Sequence, residues 1–170
     1  MPIDTSIDFV PINIAVITIS DSRTIENDTS GDTLKKRIEG TGHYMIKRII
    51  IPDDVKKIKD TLESLSKEKE VDCIITTGGT GLTGRDTTPE AVKEIASKHI
   101  DGFGELFRQV SFEKIGTSAI QSRAVAALIN STYVFCLPGS TGACKDGWDE
   151  ILKYQLDIRH KPCNFVEIMP

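Results

Sequence analysis

A short apolar run, Val71 to Thr76 (VDCIIT), gives way to four closely spaced glycines, Gly78, Gly79, Gly81 and Gly84, before Thr88-Pro89-Glu90 opens a stretch of helical spacing. The β-branched residues suit a strand covered on both faces. Thr88, Pro89 and Glu90 read as N-cap, N1 and N2 of a helix. A buried strand that feeds a helix through a glycine loop belongs to an α/β domain, where ligands bind outside the carboxyl ends of the strands. Glycine accepts φ > 0 and allows close approach to backbone N–H groups, so Gly78, Gly79, Thr80 and Gly81 are candidates for binding an anion beside the positive end of the helix. Asp86 does not fit a plain phosphate cradle. A carboxylate beside bound phosphate is repelled unless a metal ion lies between them, so it suggests Mg²⁺ or a role in catalysis. The run is neither GxxxxGK[ST] nor GxGxxG, and loop composition alone leaves a phosphate site and a plain chain reversal both open.

The rest of the composition narrows the class. A chain of 170 residues with 39% apolar content reads as one domain, 1–170, with a sizeable core. Its 21 basic and 25 acidic residues give a net charge of −4, and no basic block or aromatic-interleaved stripe tracks a nucleic acid. The amino-terminal MPIDTSIDFVPI has neither a basic region nor an apolar core of signal-peptide length, and no apolar run reaches membrane-spanning length, so a soluble, cytoplasmic protein is expected. Cys73, Cys136, Cys144 and Cys163 lack CxxC spacing and read as buried reduced thiols. His43, His99 and His160 form no zinc pattern and read as surface or structural residues.

Taken in order, Met1 to Pro11 is an irregular arm, and Ile12 to Ile19 is a strand that delivers Ser20 and Asp21 to its carboxyl end. Those two residues are candidates to line the site, although turn formation accounts for them almost as well. Asp28-Thr29-Ser30-Gly31 precedes a helix of roughly Asp32 to Glu39, with Gly40 as its C′ residue. Tyr44 to Ile51 is a second strand. Asp53 or Asp54 then caps an amphipathic helix marked by Val55, Ile58, Leu62 and Leu65. Beyond the central loop, a helix of about Pro89 to Lys98 leads to a second helical face carried by Phe103, Leu106, Phe107 and Val110. Ala124 to Ile129 reads as either helix or strand by propensity, with Asn130-Ser131 suggesting a hairpin turn into Thr132 to Leu137. The turn Pro138-Gly139-Ser140 then repeats the central strand–loop–helix arrangement on a smaller scale, and Lys161 to Pro170 is an irregular tail.

The motifs ISDS, DTSGD, IPDD, TTGGTGLTGRD, TPEA, GFGE, GTSAIQSR and LPGSTGAC, spread from about Ile12 to Phe165, resemble the molybdenum cofactor biosynthesis family that includes MoaB and MogA. The runs SFEKIGTSAIQSRAVA and RHKPCNF are closer to its B branch. The resemblance favours the hairpin and implies a three-layer α/β/α sandwich with a mostly parallel, mixed five-stranded sheet. It also implies work on molybdopterin, which in the adenylyltransferase members attacks the α-phosphate of Mg-ATP and releases pyrophosphate. On that reading Asp86 and Asp53 are catalytic, Asp86 holding the Mg²⁺ and Asp53 serving the nucleotide side. Gly78, Gly79, Thr80 and Gly81 bind phosphate or pterin, Pro138 and Gly139 are cofactor-binding, and Ser140 lies near the pterin phosphate. Ser20, Asp21 and Glu105 complete the expected site. ATP, molybdopterin and copies of the chain, as a trimer or hexamer, are the implied partners. The alternative within the same pathway is a non-catalytic molybdopterin-binding or scaffold protein.

Overall fold

The computed structural model describes residues 2–169. Six strands form one sheet: β1 (Asn13–Ile19), β2 (Tyr44–Ile51), β3 (Cys73–Thr77), β4 (Lys98–His99), β5 (Val125–Ile129) and β6 (Thr132–Leu137), in the spatial order β2-β1-β3-β6-β5-β4. The first four in that order are parallel neighbours, and β5 and β4 add antiparallel pairs at one edge. Five strands were expected. The sixth, β4, arises because the predicted helix to Lys98 stops at Ile95: Ala96 is extended, and the Ser97 and Ile100 N–H groups donate to the Leu128 and Ala126 carbonyls of β5.

Strand alternation splits the core into two layers. Ile14, Val16, Cys73, Ile75, Tyr133 and Phe135 pack with α1 (Thr29–Gly40), α4 (Asp101–Ile115) and the last helical segment. Ala15, Ile17, Ile74, Val134 and Cys136 face the other way, against α2 (Val55–Leu65) and α3 (Thr88–Ile95). The result is the expected three-layer sandwich. The last helix begins as α5 (Thr141–Asp146) and continues through a π-helical stretch, Gly147–Leu152, into the turn Lys153–Gln155. Gly147 lets that helix close onto β6, since a Cβ there would lie 2.5 Å from Leu137 Cδ2.

Several local expectations move by a few residues. Helix α1 starts at Thr29 rather than Asp32, because the buried Asp28 is its N-cap and accepts from Gly31 N–H at 3.0 Å. The chain reverses at Gly42 (φ +94°) rather than at Gly40. Asp54, not Asp53, caps α2, accepting from Lys57 N–H at 2.8 Å. Gly102 and Gly104 lie inside α4, and a Cβ on Gly104 would meet the Ala124 carbonyl at 2.5 Å. The hairpin forms as expected, with Asn130 at φ +52° in its two-residue turn. Three of the four cysteines are buried, whereas Cys163 is exposed. The arm is fastened to the carboxyl-terminal segment through an Ile3–His160 bridge and the Asp4 N–H, which donates to Arg159 O. Among the described residues no helix is long and apolar enough to cross a membrane.

Candidate functional site

Parallel pairing in register, Thr18 with Thr77 and Thr77 with Leu137, makes β1, β3 and β6 end together, and Ile51 of β2 ends opposite Ile19. The chain leaves β1 towards β2 on one side and leaves β3 on the other, with α1 and α2 on opposite faces of the sheet. That is the switch point where open α/β sheets hold ligands. A cleft of about 690 Å³ opens there, and its lining includes Ser20, Asp21, Asp53, Gly78, Gly79, Thr80, Gly81, Asp86, Pro138, Gly139 and Ser140. All the predicted site residues except Glu105 are therefore brought together. Glu105 faces a smaller depression with His99, Asp101 and Arg108 beside β5.

The central loop runs from Gly78 to Thr87. Its first two glycines are required by the protein itself rather than only by a ligand. At Gly78 (φ +107°) a Cβ would lie 2.2 Å from the Ile19 carbonyl oxygen, and at Gly79 (φ +65°) it would lie 2.3 Å from Thr88 Oγ1. Thr88 is the first residue of α3 rather than its cap: its hydroxyl donates to Gly78 O and its N–H to Gly79 O. Among the described residues, the Gly79 and Thr80 N–H groups have no hydrogen-bond partner, which leaves donors available for an anion.

Two carboxylates flank this backbone. Asp53 Oδ1 accepts from the Thr87 N–H at 3.1 Å and the Thr87 hydroxyl at 2.8 Å, and Asp86 Oδ2 accepts from the Thr83 N–H at 2.9 Å and the Thr83 hydroxyl at 2.6 Å. The Thr83 hydroxyl is the main reason that the Asp86 carboxyl is held below its ordinary range. Asp21 is likewise held down, chiefly by Arg85, whose Nη2 donates to Asp21 Oδ2 at 2.5 Å. Asp21 Oδ1 also accepts the Asp53 N–H at 3.2 Å, linking the ends of β1 and β2. Each flanking carboxylate keeps one oxygen out of its threonine bonds: Oδ2 of Asp53 and Oδ1 of Asp86. Among the described residues no cluster of three or more His, Cys, Asp or Glu forms an all-protein metal site. The donor set does fit Mg²⁺, which is commonly held by one or two carboxylates together with substrate phosphates.

The second turn is tighter. Ser140 caps α5 by accepting from Ala143 N–H at 3.1 Å, while the Pro138 and Gly139 carbonyls accept from the Thr77 and Ser30 hydroxyls. The opposite wall comes from α4 and the 3₁₀ turn Gly116–Gln121: Phe107, Ser111, Ile115, Ser118 and Gln121, with Asp146 of α5 nearby. Phe107 is expected in the core from its helical spacing, and the others have no individual role legible in the sequence. Ser111, Ile115, Ser118 and Gln121 fall within the SFEKIGTSAIQSRAVA run, whose residues carry no local signature of a site, and Asp146 lies outside it. Arg23, which lines the cleft, and Arg123, which bonds to both ends of the loop's exposed stretch, are equally without a sequence signal of their role.

Comparison with known proteins agrees with this architecture. Residues 15–158 match the family model described as a probable molybdopterin binding domain. The chain is 42% identical over 160 residues to molybdenum cofactor biosynthesis protein B of Escherichia coli (strain K12), covering 94% of both chains. A crystal structure of molybdenum cofactor biosynthesis protein B superposes with a TM-score of 0.84 at 38% identity, covering 86% of this chain and 92% of that one. The tungsten cofactor synthesizing protein MoaB from Pyrococcus furiosus gives a TM-score of 0.73 at 35% identity, covering 83% and 90%.

Proposed function

The chain belongs to the molybdenum cofactor biosynthesis family that includes MoaB and MogA, and from that premise we propose that it binds molybdopterin in this cleft and adenylylates it with Mg-ATP. Its relatives support a role in molybdenum cofactor biosynthesis. The observation that carries the finer reading is the pair of carboxylates, Asp53 and Asp86, flanking the Gly79–Gly81 backbone at the converging strand ends. A pure phosphate cradle has no use for two carboxylates, since each repels the ligand. A phosphoryl-transfer site does, because a bound Mg²⁺ neutralises the charge between acid and phosphate.

In this reading the remaining oxygens of Asp86 and Asp53 would hold the ion, which would draw charge from the ATP phosphates. The Gly79 and Thr80 N–H groups orient the phosphates, and the Ser140 hydroxyl, which still has its proton to donate, faces the pterin phosphate. A molybdopterin oxygen forms the new bond to the α-phosphorus as the bond to the β-phosphate oxygen breaks, and pyrophosphate leaves with that electron pair. The protein contributes in-line placement and electrostatic complementarity. A trimeric or hexameric assembly belongs to the same proposal, supported by the exposed Phe112, Ile115 and Ile120 near the end of α4 and testable by light scattering.

The test is incubation of the purified protein with molybdopterin, Mg²⁺ and ATP labelled at the α-phosphate. Label transferred to the pterin with equimolar pyrophosphate is the expected result. Pterin binding without transfer would overturn the enzymatic reading and leave a molybdopterin-binding or scaffold protein.

A further inference from the structure

We infer that Arg123 is a positioning residue that sets where the Asp86 carboxylate sits, an inference that rests on the adenylyl-transfer reading of the cleft. The central loop is anchored at its roots. Thr80 is buried, Thr88 bonds back to Gly78 and Gly79, and Thr87 bonds to Asp53. Between the roots, Leu82 to Arg85 is exposed, and Gly84 has open space around it. The Thr83–Asp86 hydrogen bonds fix the shape of that excursion but not its place relative to the sheet.

Arg123 supplies the placement. Its Nε donates to Gly81 O at 2.7 Å and its Nη2 to Asp86 O at 2.8 Å, so a single guanidinium spans both ends of the excursion. Nη1 donates to the Glu90 carboxylate in the first turn of α3. A planar fork with donors in fixed directions suits this three-way span, whereas a lysine ammonium is a compact point charge on a flexible stem. The arginine is also set on a firm base. It precedes β5, which is paired with β6, and the neighbouring Ala124 is fully buried with its carbonyl pressed against Gly104 of α4. The other tie to the excursion, Arg85 to Asp21, joins a 70% exposed side chain to a 43% exposed one and is worth little in water.

Arg123→Lys and Glu90→Gln in the full-length chain test this, with two readouts that need no turnover and one that does. Arg123→Lys is expected to speed amide exchange of residues 81–86 about tenfold while leaving exchange in β3 and in residues 138–142 unchanged. It should weaken Mn²⁺ binding in the presence of ATP, read by electron paramagnetic resonance, by about tenfold, as for the loss of one charge-assisted hydrogen bond. Where adenylylation is measured, kcat falls and the KM for molybdopterin holds. Glu90→Gln, which keeps both carbonyl contacts, should change each readout less than threefold. Wild-type exchange and Mn²⁺ affinity in Arg123→Lys would overturn the inference. So would a uniform rise in exchange across the sheet, which would make Arg123 a general support of the fold. A wild-type protein that does not adenylylate would defeat the proposed reaction, while exchange and Mn²⁺ binding would still judge Arg123.

Discussion

Two glycine-bearing turns leave adjacent parallel strands for helices, and they are closed by different means. The short turn after β6 supplies its own helix cap, Ser140, and the Thr77 and Ser30 hydroxyls hold its carbonyls. Gly139 packs against the Gly78 backbone, where a Cβ would come within 3.3 Å of Gly78 Cα. The long turn after β3 is closed by others. Its helix cap, Thr87, makes no side-chain cap bond to α3 and donates to Asp53 from the end of β2, while Arg123 and Asp21 reach it from β5 and β1. A turn that caps itself responds to mutation locally, as a change in stability. A turn placed by three distant side chains also responds by moving what it carries, here Asp86.

The largest effect expected from this contrast is on stability. Gly78→Ala forces a Cβ to 2.2 Å from the Ile19 carbonyl at φ +107° and should cost on the order of 3 kcal/mol, read from urea denaturation. A loss well under ~1 kcal/mol would mean that the long turn is more pliable than the contrast requires.

Acidification offers a comparable effect that touches neither turn. Burial lowers the His43 pKa from 6.5 to about 4, and its ring Nδ1 accepts the Ile12 N–H at 3.2 Å. The unfolded chain takes up this proton near pH 6.5, while the folded chain resists until about pH 4. The stabilisation is thus complete above pH 6.5 and declines as pH falls towards 4, by roughly 3 kcal/mol in all. His43→Asn should lose that slope in pH-dependent unfolding. If the two turns are held independently of this site, turnover per folded molecule should not follow it.

The contrast sharpens further between two adjacent aspartates. Asp54→Ala removes the α2 cap and should cost ~0.5–2 kcal/mol without changing kinetics. Asp53→Ala removes the Thr87 partner, so its loss should appear in ATP-dependent turnover beyond what its melting temperature explains. Equal kinetics in the two variants would return Asp53 to a purely structural role. The smallest effect belongs to the short turn: Gly142→Ala meets nothing within 4 Å and should shift stability by less than ~1 kcal/mol.

Much of this arrangement is legible in the residues. The β-branched runs and their end points place β1, β2, β3 and β6 to within two residues, because the buried β1, β3 and β6 are mostly apolar and the edge strand β2, though largely unburied, still ends in the run Ile49–Ile51. The carboxyl ends of those strands then assemble the cleft almost by topology alone. What was not legible depends on tertiary partners. Asp53 and Asp54 are equivalent as local caps, and only packing turns one towards Lys57 and the other towards Thr87. Arg123 closes the GTSAIQSR motif but lies 37 residues from the Asp86 carbonyl that it holds, and nothing in the motif tells what it contacts. Glu105 belongs to the family motif, yet α4 carries it to a separate depression beside β4 and β5. The two-residue strand β4 is too short for any periodicity to reveal.

Asp86→Asn tests the central claim most directly, with single-turnover adenylyl transfer and equilibrium molybdopterin binding measured on the same preparation. The substitution keeps the size of the side chain and one oxygen to accept the Thr83 bonds, but removes the charge that Mg²⁺ requires. The predicted result is a loss of transfer of at least ~100-fold with melting temperature and pterin affinity close to wild type, because several kcal/mol of transition-state stabilisation depend on that charge. Transfer near the wild-type rate at ordinary Mg²⁺ concentration would contradict the account.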